Sequence, residues 1–234
     1  MTPQTKFDAE TLQFDSKIRR LTKFIDVTMN PLVAAKDIES LRFLMETVVV
    51  MMVAYLDRYL TNMISTATFA RDHDVRVFLK KHGTEREKAQ SQACDIRMLR
   101  AIMTTRASLL ARKGRDVNNT FEFLLGFGLW PSDERTAKLV RDLARLRNLI
   151  LHHDGHPESS HFKEMEIPGF ITEFSKEHGF YRMNLATSAP LVLEGLQAVL
   201  ALLKHIQEGI TADERWKWRG PLERLPPTLI DEER

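Results

Sequence analysis

Apolar side chains recur every three to four residues over most of the chain, which is the spacing of one face of an α-helix. The first such stretch covers residues 7–28, and Asn30-Pro31 is its predicted end. A second stretch, over residues 37–66, is apolar nearly all round in its middle. It therefore predicts the central core helix, or a helix that buries a second face against a partner chain.

The middle of the chain predicts two further helices. Residues 71–82 form a short periodic stretch that ends at Gly83, and Thr84 with Glu87 has the pattern of a capping box. A third long helix is predicted from there to about residue 112. It is rich in arginine and lysine, which indicates either a solvated face or a surface that binds a nucleic-acid backbone.

Gly114 is the predicted stop of that charged helix. Asn118-Asn119 are then predicted to cap a short apolar helix over residues 120–129. The next helix is predicted from a cap at Ser132 to about His152.

The chain after Gly155 has no clear period for about 25 residues, which predicts a long loop. Tyr181, Met183 and Leu185 then alternate with polar residues, and this predicts a short extended segment or hairpin arm. A final long helix is predicted between a cap at Ser188 and Gly209.

Residues 210–234 resemble a C-terminal tail that packs on the body or becomes ordered on a partner. No internal repeat, low-complexity run or linker divides the sequence, so residues 1–234 are predicted to form a single helical domain.

Charge and composition narrow the class of protein. The net charge is only +2, so an RNA site would have to be a local basic patch. The single cysteine, Cys94, excludes an intrachain disulfide and a CxxC metal knuckle. The N-terminus lacks an apolar signal core, and the most apolar run, residues 48–56, is far shorter than the ~20 residues of a membrane span. We therefore expect a soluble cytoplasmic protein without a membrane partner.

The helix predicted over residues 132–152 has a charged residue at a position where its pattern predicts an apolar one. Its apolar residues share one broad arc and are Leu139, Val140, Leu143, Leu146, Ile150 and Leu151. Arg147 projects near the middle of that arc. A buried unpaired charge costs on the order of several kcal/mol, so this guanidinium must be paired or must reach a cleft. The two explanations are a structural ion pair with a core acid such as Glu46 or Asp57, and a functional site.

A narrow polar stripe runs beside the arc and consists of Lys138, Arg141, Arg145, Asn148 and His152. Asn148 and His152 are four residues apart, so they lie one above the other on one face. An arginine, an amide and an imidazole are therefore predicted to converge within about one turn at the end of the helix.

The residues from Arg147 to His152 read Arg, a polar residue, three variable residues and His. Together with the following His-Asp-Gly they resemble the signature of the HEPN family (higher eukaryotes and prokaryotes nucleotide-binding domains). The resemblance is clearest over residues 118–208 and also draws on the all-helical pattern and the Gly-Phe-Tyr-Arg-Met-Asn-Leu segment. It implies an all-α, HEPN-like helical bundle with an up-and-down four-helix core. Residues 71–116 would be an inserted helical segment, and a short extended or hairpin element would precede the last helix.

The same resemblance implies a metal-independent endoribonuclease, because HEPN ribonucleases are dimers in which two Arg/His motifs face each other. It implies Arg147, Asn148 and His152 as catalytic residues of a homodimer, with RNA as substrate and no cofactor. Lys138, Arg141, Arg145 and His153 are candidate RNA-binding residues. Such proteins are commonly toxins or anti-phage effectors, so an antitoxin or other regulatory partner is expected.

Cleavage of RNA without a metal fits these residue types. It needs a base for the 2′-hydroxyl, an acid for the 5′-oxygen and positive charge at phosphorus. An imidazole serves as acid or base near neutral pH, and a guanidinium binds phosphate through two nitrogens. One chain supplies one such histidine, so two-histidine chemistry requires a second copy.

Two other functions remain open from the sequence. His152, His153, Asp154, His156 and His161 form a cluster that suits a transition metal, although the usual helical zinc spacings are absent and no metal is expected. The stronger alternative is a non-catalytic HEPN interaction or RNA-binding module that partners a protein such as a nucleotidyltransferase-type antitoxin. Some partnered HEPN toxins carry a tyrosine two residues after the motif histidine, and here that position is Asp154.

Overall fold

The computed structural model describes residues 3–70, 72–93, 97–98, 101–103, 114–152, 172–175, 180–183 and 185–213. This part of the chain is almost entirely helical, which confirms the predicted all-α class. The helices are α1 (Pro3–Ala35), α2 (Ile38–Ala70), α3 (Asp72–His82), α4 (Glu85–Ala93), α5 (Gly114–Leu125), α6 (Glu134–His152) and α7 (Leu185–Ala212). Between α6 and α7, strands β1 (Thr172–Ser175) and β2 (Phe180–Met183) pair antiparallel, with Thr172 opposite Met183.

The helix α2 is the centre of the fold. It packs against α1, α3, α5, α6 and α7, and β2 also lies against it. In its apolar middle, Val48, Val49, Met52, Leu56 and Leu60 are buried. Burial of this run is the main reason that the three valines join a helix, because packing outweighs their weak preference for strands.

The first helix packs along α2 through apolar residues at helical spacing, including Phe14 and Ile18. The Phe14 and Tyr59 rings stack with their centroids 4.8 Å apart, and the Thr11 and Tyr59 hydroxyls are 3.2 Å apart. These contacts join the two helices at Tyr59.

The prediction that Asn30-Pro31 ends the first helix is wrong, because α1 continues through Pro31 to Ala35. Proline lacks an N–H donor but keeps a helical φ, so this position loses one hydrogen bond without ending the helix. The actual end is a Schellman turn, in which Lys36 has a φ of 55° and the Asp37 amide donates to the Leu32 carbonyl at 3.0 Å.

The capping box at Thr84 is confirmed. The Thr84 amide donates to the Glu87 carboxylate at 2.7 Å, and the Glu87 amide donates to Thr84 Oγ1 at 3.3 Å. Gly114, however, is itself helical and belongs to α5, so the prediction that it is a helix stop is wrong. Residues 94–96, 99–100 and 104–113 of the predicted charged helix lie outside the described residues.

Asn118 is not a helix cap as predicted, because it lies within α5. Its Oδ1 accepts a hydrogen bond from the Trp130 amide at 3.3 Å. The helix ends at Leu125 and is followed by Gly126, whose φ of 83° is one that glycine adopts without strain. Asn118 therefore braces the loop between α5 and α6 instead of starting the helix.

The last helix is longer than its sequence signals indicate at both ends. It begins at Leu185, three residues before the predicted cap Ser188, and continues past Gly209 to Ala212. A side chain at Gly209 would put its Cβ 2.7 Å from the Phe127 ring, so this glycine allows close packing rather than stopping the helix. The predicted tail beyond residue 213 lies outside the described residues.

Among the described residues, one segment, Ala189–Ala212, is long and apolar enough to cross a membrane by length and composition. In the structure this segment packs on α1, α2 and α6 and buries Val192, Leu202 and Ile206. A core helix has the same composition.

Candidate functional site

The Arg147–His152 motif forms the last turn and a half of α6. The structure describes the side chains of Arg147 and Asn148. For His152 it describes only the helical backbone, and His153 lies outside the described residues. The geometry of the candidate site therefore comes from Arg147, Asn148 and the elements packed around them.

The start of α6 differs from the prediction. Asp133, not Ser132, is the cap: its carboxylate accepts hydrogen bonds from the backbone amides of Arg135 and Thr136, at 3.1 and 3.2 Å, and from Thr136 Oγ1 at 2.6 Å. These bonds satisfy the open amides of the first turn. They also hold the pKa of Asp133 below its usual value, so this cap is charged at neutral pH.

The apolar arc of α6 fastens the helix to the core. Val140, Leu143 and Leu146 are buried, whereas Leu151, next to His152, is 43% exposed. A Cβ on Gly195 of α7 would lie 2.5 Å from Leu143, so the missing side chain lets the two helices approach closely. The motif thus ends a rigidly packed helix, with apolar surface left open beside it.

Arg147 is half-buried, as its place on the arc predicts. Its Nη1 donates a hydrogen bond to Asn148 Oδ1 at 3.0 Å. Its Nε is buried and has no hydrogen-bond partner within the described part of the chain. Because buried N–H groups are normally bonded, a donor left open in this way is a feature of functional sites as well as of sites completed by water.

Asp57 of α2 is the acid that lies near Arg147. Burial raises the pKa of the Asp57 carboxyl to about 6, and the positive charge of Arg147 opposes this rise. Asp57 Oδ1 is buried and, like Arg147 Nε, has no hydrogen-bond partner among the residues described. The sequence indicates Asp57 only as one of two candidate ion-pair partners. The helices α2 and α6 pack together, but no ion pair between Asp57 and Arg147 forms.

The polar stripe of α6 is basic and mostly open to solvent. Lys138 and Arg145 are exposed. Arg141 is half-buried, with its guanidinium carbon 5.6 Å from the centre of the Trp130 ring and its Nε 3.2 Å from the Ala137 carbonyl. A row of cations with an aromatic ring beneath it is typical of surfaces that bind a nucleic-acid backbone and of ordinary solvated helix faces.

Asp142 is a residue that the sequence pattern does not single out. It is only 2% exposed, and its Oδ1 lies 3.1 Å from Arg145 Nη1. Burial raises the pKa of Asp142, and the positive charges of Arg145, Lys138 and Arg141 act against this rise. This acid neutralises part of the stripe and restrains Arg145.

The predicted histidine cluster cannot be assembled from the described side chains, because residues 153–161 lie outside them. Within the part of the chain that the structure describes, no group of three or more His, Cys, Asp or Glu side chains is arranged to hold a metal ion.

Comparison of the chain with protein-family models, with curated proteins and with solved structures gives no match in any of the three. The function of the protein must therefore be inferred from its residues and their geometry.

Proposed function

We propose that the protein is a HEPN-type, metal-independent endoribonuclease that acts as a homodimer. The observation that carries the proposal is the half-buried Arg147 at the end of α6, whose Nη1 donates to Asn148 and whose buried Nε has no hydrogen-bond partner among the described residues. A guanidinium presents several N–H donors in a planar fork, which suits an RNA phosphate.

The HEPN-specific architecture is part of this proposal. Helices α1, α2, α6 and α7 contact one another and would be the up-and-down four-helix core. Helices α3 and α4 would belong to the inserted segment over residues 71–116, and β1 with β2 would be the hairpin before the last helix.

The proposed reaction is a transesterification. The 2′-oxygen forms a bond to phosphorus, and the bond from phosphorus to the 5′-oxygen breaks. One His152 accepts the 2′-hydroxyl proton, and the His152 of a second copy protonates the departing 5′-oxygen. Arg147 stabilises the charge on the phosphorane, and Asn148 orients Arg147. Lys138, Arg141, Arg145 and His153 would guide the RNA backbone toward this cleft.

Exposed apolar surface near the motif supports the proposed dimer. Leu151 is 43% exposed next to His152. A second copy that covers Leu151 would bring two motifs together across one twofold axis. A cytoplasmic toxin or anti-phage role, held in check by a regulatory partner, follows from the HEPN resemblance.

The test is cleavage of a fluorescent single-stranded RNA by the purified protein in EDTA. Wild type is expected to cleave it, and His152→Ala is expected to lose activity at least about 100-fold with unchanged helicity and Tm. His82→Ala is the matched control, because His82 is exposed on α3, outside the helix that carries the motif, and should leave cleavage unchanged.

Two outcomes would overturn the proposal. RNA binding without cleavage by wild type would favour the non-catalytic interaction module, and co-purification of a nucleotidyltransferase-type partner would then identify its role. Cleavage that appears only after zinc or manganese is added would favour a metal site in the histidine cluster.

A further inference from the structure

The helices α1 and α2 form a hairpin with an end that the rest of the described structure leaves uncovered. Each helix has 33 residues and is about 50 Å long, whereas α6 has 19 residues and is about 28 Å long. The last turns of α1, the connection and the first turns of α2 make up residues 26–43, and none of these residues is buried. We call this segment the hairpin end.

The hairpin end exposes large apolar side chains. Phe43 is 71% exposed and Val27 is 65% exposed, and Val33 and Ile38 are each more than half exposed. Smaller apolar residues between them are exposed as well, namely Pro31, Ala34 and Ala35. A single exposed apolar residue is ordinary, but several on one short segment are typical of an interaction surface.

The backbone of the hairpin end is well ordered, so this exposure does not come from frayed helix ends. The Asp37 amide donates to the Leu32 carbonyl at 3.0 Å and closes α1, and the Ser40 amide donates to the Asp37 carboxylate at 3.0 Å and caps α2. The hydrogen bonds from Ser40 lower the pKa of Asp37, so the cap is charged at neutral pH. Arg42 and Glu39 form an ion pair at 2.7 Å in the first turns of α2. The apolar side chains are therefore presented on a fixed backbone.

The charges of the hairpin end narrow the choice of what covers it. Two cations and three carboxylates give the segment a net charge of −1, and they are Lys36, Arg42, Asp26, Asp37 and Glu39. Such a surface does not attract the phosphates of RNA or of an anionic membrane, because those need a local excess of lysine and arginine. It suits a protein surface that is also apolar and carries both signs of charge. The same segment of a second copy has these properties.

We propose that the hairpin end is the surface through which two copies of the chain dimerise. Exposed apolar residues lie on both arms, Val27 and Val33 on α1 and Ile38 and Phe43 on α2. Two hairpin ends can therefore pack as a four-helix bundle in which each arm covers an arm of the other copy. Residues 26–43 are nearly as many as the roughly 20–30 residues that each partner contributes to a standard interface. The inference goes beyond the proposed ribonuclease function, because it uses no residue of the motif; Leu151 would be a smaller contact of the same dimer.

Analytical ultracentrifugation of the full chain without RNA tests this interface. Wild type should be a dimer at micromolar concentration. Phe43→Glu should raise the Kd of the dimer at least about 100-fold, because a carboxylate replaces an aromatic contact, and Val33→Glu on the other arm should do the same. Leu12→Glu is the matched control: Leu12 is 70% exposed on α1 outside the hairpin end, and its substitution should leave the Kd unchanged. Circular dichroism should show equal helicity for all three variants, because the replaced side chains are exposed.

Three results would overturn the proposal: a wild type that stays monomeric at about 100 µM, a dimer that Phe43→Glu and Val33→Glu leave intact, and a dimer that Leu12→Glu weakens equally. RNA cleavage by the same variants separates this interface from the ribonuclease function. If wild type is a dimer that Phe43→Glu dissociates but does not cleave RNA, the interface stands and the ribonuclease function is wrong. If monomeric Phe43→Glu cleaves RNA as wild type does, the interface stands and the shared catalytic cleft is wrong.

Discussion

Arg147 and Asp57 carry opposite charges, and each occupies a position where the apolar pattern of its helix predicts a core residue. Each is half-buried, each has one buried polar atom without a partner in the described structure, and the field of one acts on the other. No hydrogen bond or ion pair joins the two side chains in the described structure, so the predicted structural ion pair is not formed. The guanidinium donates from Nη1 to Asn148, and its buried Nε is left unsatisfied.

The raised pKa of Asp57 predicts a pH dependence of stability. Its folded pKa of about 6 exceeds the unfolded value of about 3.9, so the folded state binds this proton more tightly. The favourable contribution is therefore complete below about pH 4 and is lost as the pH rises through 6, with a total change of up to about 3 kcal/mol.

Urea unfolding of wild type and Asp57→Asn at pH 4 to 8 measures this effect. The stability of the variant relative to wild type should increase between about pH 4 and 6 and level off above that range. A difference that does not change with pH would show that Asp57 is not a buried titrating group in the folded protein.

At the scale of elements, local signals identify helices better than they identify helix ends. The capping box at Thr84 is local, and it is confirmed by both hydrogen bonds. Asn118, by contrast, is of a residue type that often caps helices. Its side chain instead accepts a hydrogen bond from the Trp130 amide, twelve residues away. Gly209 is of a residue type that often ends helices, but here its lack of a side chain allows close contact with Phe127. Their roles depend on neighbours that are distant in sequence.

The cap of α6 allows a direct comparison of two adjacent residues. Asp133→Ala should lower Tm by about 2–4 °C, because the amides of Arg135 and Thr136 lose their acceptor. Ser132→Ala is the matched control and should leave Tm nearly unchanged. Circular dichroism melts of the two variants would contradict the assignment if Ser132→Ala were the more damaging change.

At the scale of the whole molecule, the all-α class is predictable from the sequence because apolar residues at helical spacing cover most of the chain. The same pattern predicts the burial of α2 and the unusual place of Arg147. The pattern does not show whether Glu46 or Asp57 is the acid near Arg147, because this depends on how α2 and α6 pack. Asp142 is missed for a similar reason: its burial follows from the rotation of α6 in the bundle rather than from its charged neighbours.

The proposed dimer predicts that apolar surface beside the motif becomes buried. Leu151→Glu should weaken self-association and lower ribonuclease activity together, because a carboxylate replaces an apolar contact near a cleft that binds phosphate. Leu12→Glu, at a position that is 70% exposed on α1, should change neither. Analytical ultracentrifugation and RNA cleavage on the same samples check this prediction. Equal effects of the two substitutions would argue against an interface at Leu151.

The central claim is that one catalytic cleft needs the motif from two copies of the chain. Its most direct test is to mix wild type with His152→Ala in equal amounts, allow the subunits to exchange, and measure RNA cleavage in EDTA per total protein. If both histidines of a dimer are required, only wild-type pairs are active, and the rate should fall to about one quarter of that of pure wild type. A fall to about one half would mean that each chain cleaves RNA alone, and would contradict the shared cleft.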